Sequence, residues 1–246
     1  KGVALQYEAS VGGGIPLIAP FKHDLSANLV TGIFAIINGT TNYILTRMST
    51  EGADFATVLK QAQELGYAEA NPENDVEGYD SRYKLAILAS LAFQAEIRPD
   101  QIHREGITRL SSRDFRYAAD LGFVIKLLAI AKLSDGGIEA RVHPVFIPRD
   151  SMLAKVDGVY NAVQVEGDLV GKVTFIGQGA GASPTSSEVV ADVVASACAI
   201  AHGAGRFSTW KQPRDLRVRQ MEEIETQYYI RLKAADQPGV LASIAR

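Results

Sequence analysis

Asp80 and Lys84 stand four residues apart at the start of "DSRYKLAILASLAFQA". The polar opening and apolar remainder of this segment predict a helix, which would put both side chains on one side. On a solvated face such a pair is an ordinary ion pair, worth a few tenths of a kcal/mol. At the edge of a core it is different, because a partly desolvated lysine beside carboxylates can act as an acid or a base. The apolar run "AILASLAF" follows closely on Lys84, which places the lysine near that boundary. Glu69, Asp75 and Glu77 precede it on an expected loop. Several carboxylates around one lysine could hold the ammonium of an amino-acid substrate while Lys84 touches one of its oxygens. Glu73 and Glu77 read as surplus, solvated surface charge.

Three further stretches hold polar or glycine-rich chemistry. In "YEASVGGGIP", three glycines let backbone carbonyls converge, and with Glu8 they could bind a hard cation through oxygen. A plain flexible turn explains the same residues. In "GQGAGASPTSSEVV", Gly177, Gly179 and Gly181 precede a helix, which offers free N–H groups to a phosphate. The GxGxxG spacing is missing, and a tight strand-to-helix connection accounts for the glycines equally well. The hydroxyls and amides of "NGTTNYIL" suit either a polar small molecule or a helix cap.

The elements that must position these residues are read from pattern. "ALQYEASV" is expected as a short strand and "PLIAPFKHDL" to hold a short helix. "LVTGIFAIIN" has the unbroken apolar pattern of a strand buried on both faces. Thr40, Thr41 or Asn42 is the expected N-cap of the next helix. "DFATVLKQAQELG" has helical apolar spacing closed by Gly66 at C′. "SSRDFRYAADLGFVIKLLAIAKL" is read as a helix broken near Gly122. "GGIEARVHPVFIPRD" is a hairpin-forming strand, and "GVYNAVQVEGDLVGKVTFIG" is two strands joined at "EGD". A long helix follows the glycine turn. Residues 207–223 look like a linker, and "YYIRLKAADQPGVLASIAR" like a strand, a turn and the first turns of a helix. Helices and strands alternate without strict βαβ order, which predicts an α+β or mixed α/β fold with a partly antiparallel sheet.

Composition narrows the function classes. The 246 residues are 47% hydrophobic and 22% charged, with a net charge of −3, ordinary for a globular protein and no basic stripe for nucleic acid. The single cysteine, Cys198, lies in an apolar run and reads as an inert buried thiol. Four scattered histidines argue against a zinc site. No uncharged apolar run reaches the roughly 20 residues of a membrane span, and no signal peptide is evident. A cytoplasmic protein is expected, and the abrupt ends suggest an internal piece of a longer one.

Taken together, the motifs resemble homoserine dehydrogenase. The matching blocks are "YEASVGGGIPLI", "INGTTNYILTRM", "AQELGYAEANPENDVEGYDSRYKLAILASLAF", "LGFVIKLLAIAKL", "IEARVHPVFIP" and "GQGAGASPTSSEVVADVV", in order over nearly all of residues 1–205. The resemblance implies NAD- or NADP-linked interconversion of aspartate semialdehyde and homoserine. It implies Lys84 as proton donor, with Glu69 and Asp80 holding the substrate and Asp75 nearby. It also implies a cofactor contact at the "GAG" turn, at Gly181 with Gly179 beside it. Glu8, Val11, Gly13 and Ile15 would bind a monovalent cation, usually sodium, largely through carbonyls. Residues 1–205 would be a catalytic and dimerisation domain in a homodimer or homotetramer, with a mixed sheet covered by helices. Residues 206–226 would be a linker and 227–246 the start of an ACT-like domain, too short to fold alone, of a kind that often confers threonine feedback. The family's dinucleotide-binding half and a second active-site lysine would precede Lys1. Asn71 stands where many relatives carry Asp.

Overall fold

The computed structural model describes residues 5–202, 214–234, 237 and 239–244. In chain order these form α1 (Ile18–Lys22), β1 (Val30–Ile36), α2 (Gly39–Glu51), α3 (Phe55–Glu64), α4 (Glu73–Val76) and α5 (Tyr79–Phe93). Then come β2 (His103–Arg104), α6 (Ser112–Asp120), β3 (Phe123–Ser134), β4 (Gly137–Pro148), β5 (Tyr160–Gly167), β6 (Gly171–Gln178), α7 (Ala182–Ala201) and α8 (Val240–Ile244). The strands make one sheet in the order β2-β4-β3-β1-β5-β6. Only the two-residue pairing of β2 with β4 is parallel. This is the expected α+β fold with a mixed sheet and helices.

β1 lies inside the sheet and is buried on both faces, as its apolar run predicts. Ile33 and Ala35 join the core built with Ile44, Met48, Leu85, Leu88 and Ala89 of α2 and α5. Phe34 and Ile36 face the other side, against Leu128, Ile130, Ala162 and the segment Leu153, Ala154 and Val156. Alternation of side chains across the strand puts neighbouring residues in different clusters. The buried Lys126 of β3 ties this second side to α2. Its Nζ reaches the Val156 carbonyl at 2.6 Å, Asp157 Oδ1 at 2.9 Å and Asn42 Oδ1 at 3.2 Å. Burial lowers the lysine's pKa, and Asp157 opposes that shift.

Several expectations hold. α3 forms over the expected stretch and is followed by Gly66 at φ 76°, in the left-handed region. β3 and β4 form one hairpin, and β5 and β6 another.

Others are corrected. "ALQYEASV" forms no strand over its described residues; Glu8–Ser10 is a 3-10 turn, because the Glu8 carboxylate turns to accept the N–H groups at the start of α1. The stretch read as one broken helix is α6 followed by strand β3. Gly122, at φ 82°, reverses the chain, and β3 then pairs on one side with β4 and on the other with β1. That two-sided pairing overrides the helix preference of its Leu, Ala and Lys residues. The N-cap of α2 is Asn38, ahead of the three candidates. Cys198 is exposed on α7 rather than buried.

At the far end, residues 224–234 form no strand. Tyr229 instead stacks on Phe146 with ring centroids 4.4 Å apart, and Arg231 pairs with Asp114 at 3.2 Å. The helical start expected beyond them is present as α8. Residues 206–213 of the expected linker lie outside the described residues, while Arg214 and Val218 bridge singly to Ala95 and Ile138.

Leu88 lies one turn beyond Lys84 and is fully buried. Leu88→Ala should lower unfolding stability by about 2–5 kcal/mol through lost burial and an imperfectly closed cavity. Urea denaturation followed by circular dichroism measures it.

Candidate active site

The exit of β1 collects the polar groups. After Ile36 the chain runs through Ile37 and Asn38 and turns into α2. Asn38 caps that helix: its Oδ1 accepts from Thr41 N at 2.9 Å and from Thr41 Oγ1 at 3.0 Å. Its Nδ2 points the other way, donating to Asp75 Oδ1 at 2.7 Å and Asp80 Oδ2 at 2.9 Å. Lys84 Nζ donates to Asp80 Oδ2 at 2.7 Å and to the Ile37 carbonyl at 3.2 Å.

The supporting elements explain why these groups meet. Gly78, at φ 78°, turns the chain between α4 and α5, so Asp75 and Asp80 come from two short-spaced helices onto one strand end. Asp80 lies in the first turn of α5, where the helix dipole favours a negative charge. The Lys84 and Asp80 side chains are 22% and 29% exposed. This is the rim of the core, so the pair is not a solvated surface ion pair. Burial raises the pKa of Asp75 most; the Asn38 hydrogen bond lowers it and the Asp80 charge raises it again.

Sequence and structure part company at two acids. Glu69 is exposed on the loop between α3 and α4, and among the described residues its carboxylate makes no hydrogen bond. Its backbone carbonyl is held by Gln63 Nε2 at 3.0 Å. Asp75, Asp80 and Lys84 therefore come together, and Glu69 stands apart from their hydrogen bonds. Glu77, expected as solvated surface charge, is instead tied down. It accepts from Thr108 Oγ1 at 2.7 Å and lies 3.5 Å from Arg104 Nη1, while the Arg104 guanidinium sits 3.7 Å over the Tyr79 ring. Glu73 is exposed, as expected.

The two glycine-rich stretches meet each other. Gly14 N donates to the Gln178 carbonyl at 3.0 Å. A Cβ on Gly13 would run into the backbone of Gly179, and one on Gly179 into the Asn161 side chain. The cation and cofactor candidates are thus neighbours. Glu8 is buried, and its carboxylate accepts from Leu17, Ile18 and Ala19 N–H at 2.5, 2.6 and 2.7 Å. Among the described residues, no hydrogen bond reaches the carbonyls of Val11, Gly13 or Ile15, and no three His, Cys, Asp or Glu side chains cluster as metal ligands. Carbonyls without a hydrogen bond are the ligands a hard cation held through backbone oxygen would use, while the Glu8 carboxylate is already taken by three N–H groups. On the cofactor side, Gly181 caps the 20-residue α7 without a side-chain hydrogen bond. The buried Asn161 Oδ1 behind it has no partner. An uncapped helix start and an orphaned acceptor fit a polar cofactor group.

Asn38, Asn161 and Lys126 are the polar residues that sequence reasoning missed here. Asn38 lay within "NGTTNYIL", two residues before Thr40, the first cap candidate; the other two lie inside strands, where no periodic signal marks a buried polar residue.

Fold and site together define an α+β domain that gathers a lysine and two carboxylates at the exit of its central strand. Comparison with known proteins places it further. The family model described as homoserine dehydrogenase matches residues 16–194. A homoserine dehydrogenase of Neisseria gonorrhoeae is 45% identical over 252 residues, covering 100% of this chain and 58% of the relative. One from Pseudomonas aeruginosa is 46% identical over 250 residues with the same coverage. The crystal structure of a homoserine dehydrogenase from Thiobacillus denitrificans superposes with a TM-score of 0.94 at 45% identity, over 98% of this chain and 57% of that one. The chain belongs to the homoserine dehydrogenase family, and it spans 58% of the length of the first two relatives.

The raised pKa of Asp75 sets a pH test. A folded-state pKa above 3.8 penalises the ionised carboxylate in the folded protein. The penalty is fully present above the raised value and absent below 3.8, so it grows as pH rises between them. Asp75→Asn keeps an acceptor for Asn38 and removes the charge. It should be more stable than the parent at pH 7, and the gain should vanish near pH 3.5. Urea denaturation at both pH values measures the difference.

Proposed function

We propose that the protein containing this chain is a homoserine dehydrogenase, interconverting L-homoserine and L-aspartate 4-semialdehyde with NAD or NADP. The observation that carries this reading is the seat of Lys84 between the Ile37 carbonyl and Asp80. An ammonium has three donors; with two committed to those acceptors, the third is left for a substrate oxygen. In reduction, Lys84 gives its proton to the oxygen at C4 as the aldehyde becomes an alcohol. In oxidation, the neutral amine takes the hydroxyl proton. A nicotinamide cofactor would supply or remove the hydride when bound, and the glycine turn at Gly179 and Gly181 would give it one contact.

Asp80 has a second oxygen free for the substrate ammonium, with Asp75 close by and Glu69 closing from the loop. A sodium ion beside Glu8, held by the carbonyls of Val11, Gly13 and Ile15, would stiffen the loop that packs on the cofactor turn. Residues 1–205 act as the catalytic and dimerisation part, 206–226 as a linker and 227–246 as the start of an ACT-like domain that takes threonine. The outer strand β6 and its hairpin leave Leu169, Val170 and Ile176 exposed, a surface suited to a homodimer, or to a homotetramer built from two. Among the described residues no helix is long and apolar enough to cross a membrane, which fits a cytoplasmic biosynthetic enzyme. The exposed valines of α7, Val189, Val190, Val193 and Val194, favour a second reading for the isolated piece: an inactive binding or oligomerisation unit that needs the rest of its relatives' length.

The test is NADPH oxidation with aspartate semialdehyde, on the full-length protein and on this piece. Lys84→Ala in the full-length protein should lower kcat by about 10²–10⁴-fold with a small change in KM. Glu69→Gln and Asp80→Asn should raise KM for homoserine and leave cofactor affinity intact, with Asp80→Asn also losing some kcat because Asp80 holds Lys84. Near-normal turnover in Lys84→Ala would sink the assignment.

A further inference from the structure

One buried residue stands among the charges of this site without an assigned part. Asn38 is 5% exposed, and every polar atom of its side chain is committed. Oδ1 is held by two donors of Thr41, so the amide cannot turn over: the flipped form would aim NH₂ at the Thr41 N–H and set Oδ1 against two carboxylates. The two hydrogens of Nδ2 therefore go one to Asp75 and one to Asp80. The Asp80 oxygen that takes the Asn38 amide is the same Oδ2 that takes Lys84.

We propose that Asn38 is a positioning residue of the reaction. Its neutral amide bridges Asp75 and Asp80 and fixes the Asp80 oxygen against which Lys84 is set. The proposal rests on the reading of Lys84 as the acid–base group. Two carboxylates within reach of one amide repel, and one of them ordinarily responds by taking a proton. A shared neutral donor stabilises both charged forms without adding a charge of its own. The charged groups facing it are Asp75 from α4 and Asp80 and Lys84 from α5; the β1 exit and α2 supply the Ile37 carbonyl and the Thr41 donors. Without the bridge, Asp80 can rotate toward Lys84 alone or toward solvent, and the oxygen offered to the substrate moves with it.

Capping alone does not need this residue. An N-cap uses only the acceptor, and Ser or Asp serves there as well as Asn. That separates the two roles. Asn38→Asp keeps the cap and the size but exchanges the two donors for a third carboxylate oxygen. Asn38→Ser keeps a capping acceptor and deletes the donors without adding charge.

In the full-length protein, Asn38→Asp should lower kcat about tenfold or more and move the acid limb of the kcat–pH profile up by about one unit. Asn38→Ser should show a smaller loss and a smaller shift, with KM for the cofactor unchanged and the melting temperature close to the parent's. Carboxyl ¹³C titration of Asp75 by NMR gives an independent reading, with its midpoint higher in Asn38→Asp than in the parent. Parental kcat and pH profile in a folded Asn38→Ser would overturn the proposal, as would an unmoved Asp75 midpoint in Asn38→Asp. If the full-length parent itself fails to turn over aspartate semialdehyde, the functional reading falls. The Asp75 titration then still decides whether the amide sets the carboxylates, and an unmoved midpoint there ends the inference separately.

Discussion

The exit of β1 is the constraint on which the site depends. One carbonyl, from Ile37, and one side-chain amide, from Asn38, receive three charged side chains delivered by α4 and α5. The strand that carries them is buried on both faces and paired on both edges, so its end has little freedom to move. A close-packed interior transmits displacement rather than absorbing it. The lysine's position is consequently set by the sheet, and the flexible part of its side chain is tied at the tip by two acceptors. Rigid support of this kind is what the acid–base role proposed for Lys84 requires, because misplacement by about 1 Å can cost two orders of magnitude in rate.

The same end of the sheet also brings the glycine-rich stretches together, and sterics are the reason. Gly13 and Gly179 approach so closely that neither has room for a side chain, and Gly39 lies where a Cβ would come within 2.8 Å of the Val159 carbonyl. Asn161 sits between them in β5, with its side chain against Gly179 and its Oδ1 3.7 Å from where a Gly39 Cβ would be. The start of α2, which Asn38 caps, and the turn before α7 are therefore coupled through a single buried side chain. Glycine is used here for close approach of backbone to backbone and of backbone to amide.

Three buried polar side chains follow one rule. Lys126 is buried with three acceptors around it, Glu8 with three backbone donors and Asn38 with its four polar partners. Each satisfied group links elements distant in sequence: Lys126 joins β3 to α2 and to residues 156–157, and Glu8 joins the N-terminal turn to α1. Desolvation makes such groups costly when unpaired and directional when paired. They fix which way the helices sit on the sheet, a choice that apolar contact alone leaves loose.

Local pattern in the sequence determined much of this protein. Apolar spacing marked α3, a polar start and apolar remainder marked α5, Gly66 marked the end of α3, and the continuous run of β1 announced burial on both faces. The Asp80–Lys84 spacing put both groups on one side of a helix. These features depend on neighbours within a few residues, so they survive without tertiary context. What the fold alone decided involves partners far along the chain. The composition of β3 suits a helix, and it becomes a strand because β1 and β4 flank it. Cys198 lies in an apolar run and is still exposed, because nothing among the described residues packs on that face of α7. Glu77 looks like surface charge until Arg104 and Thr108 close on it. Asn38 reads as one polar residue among several, and only the convergence of α4, α5 and the β1 exit makes its amide the bridge between two carboxylates. Burial and electrostatic environment are set by which surfaces meet, and that information is spread over the whole chain.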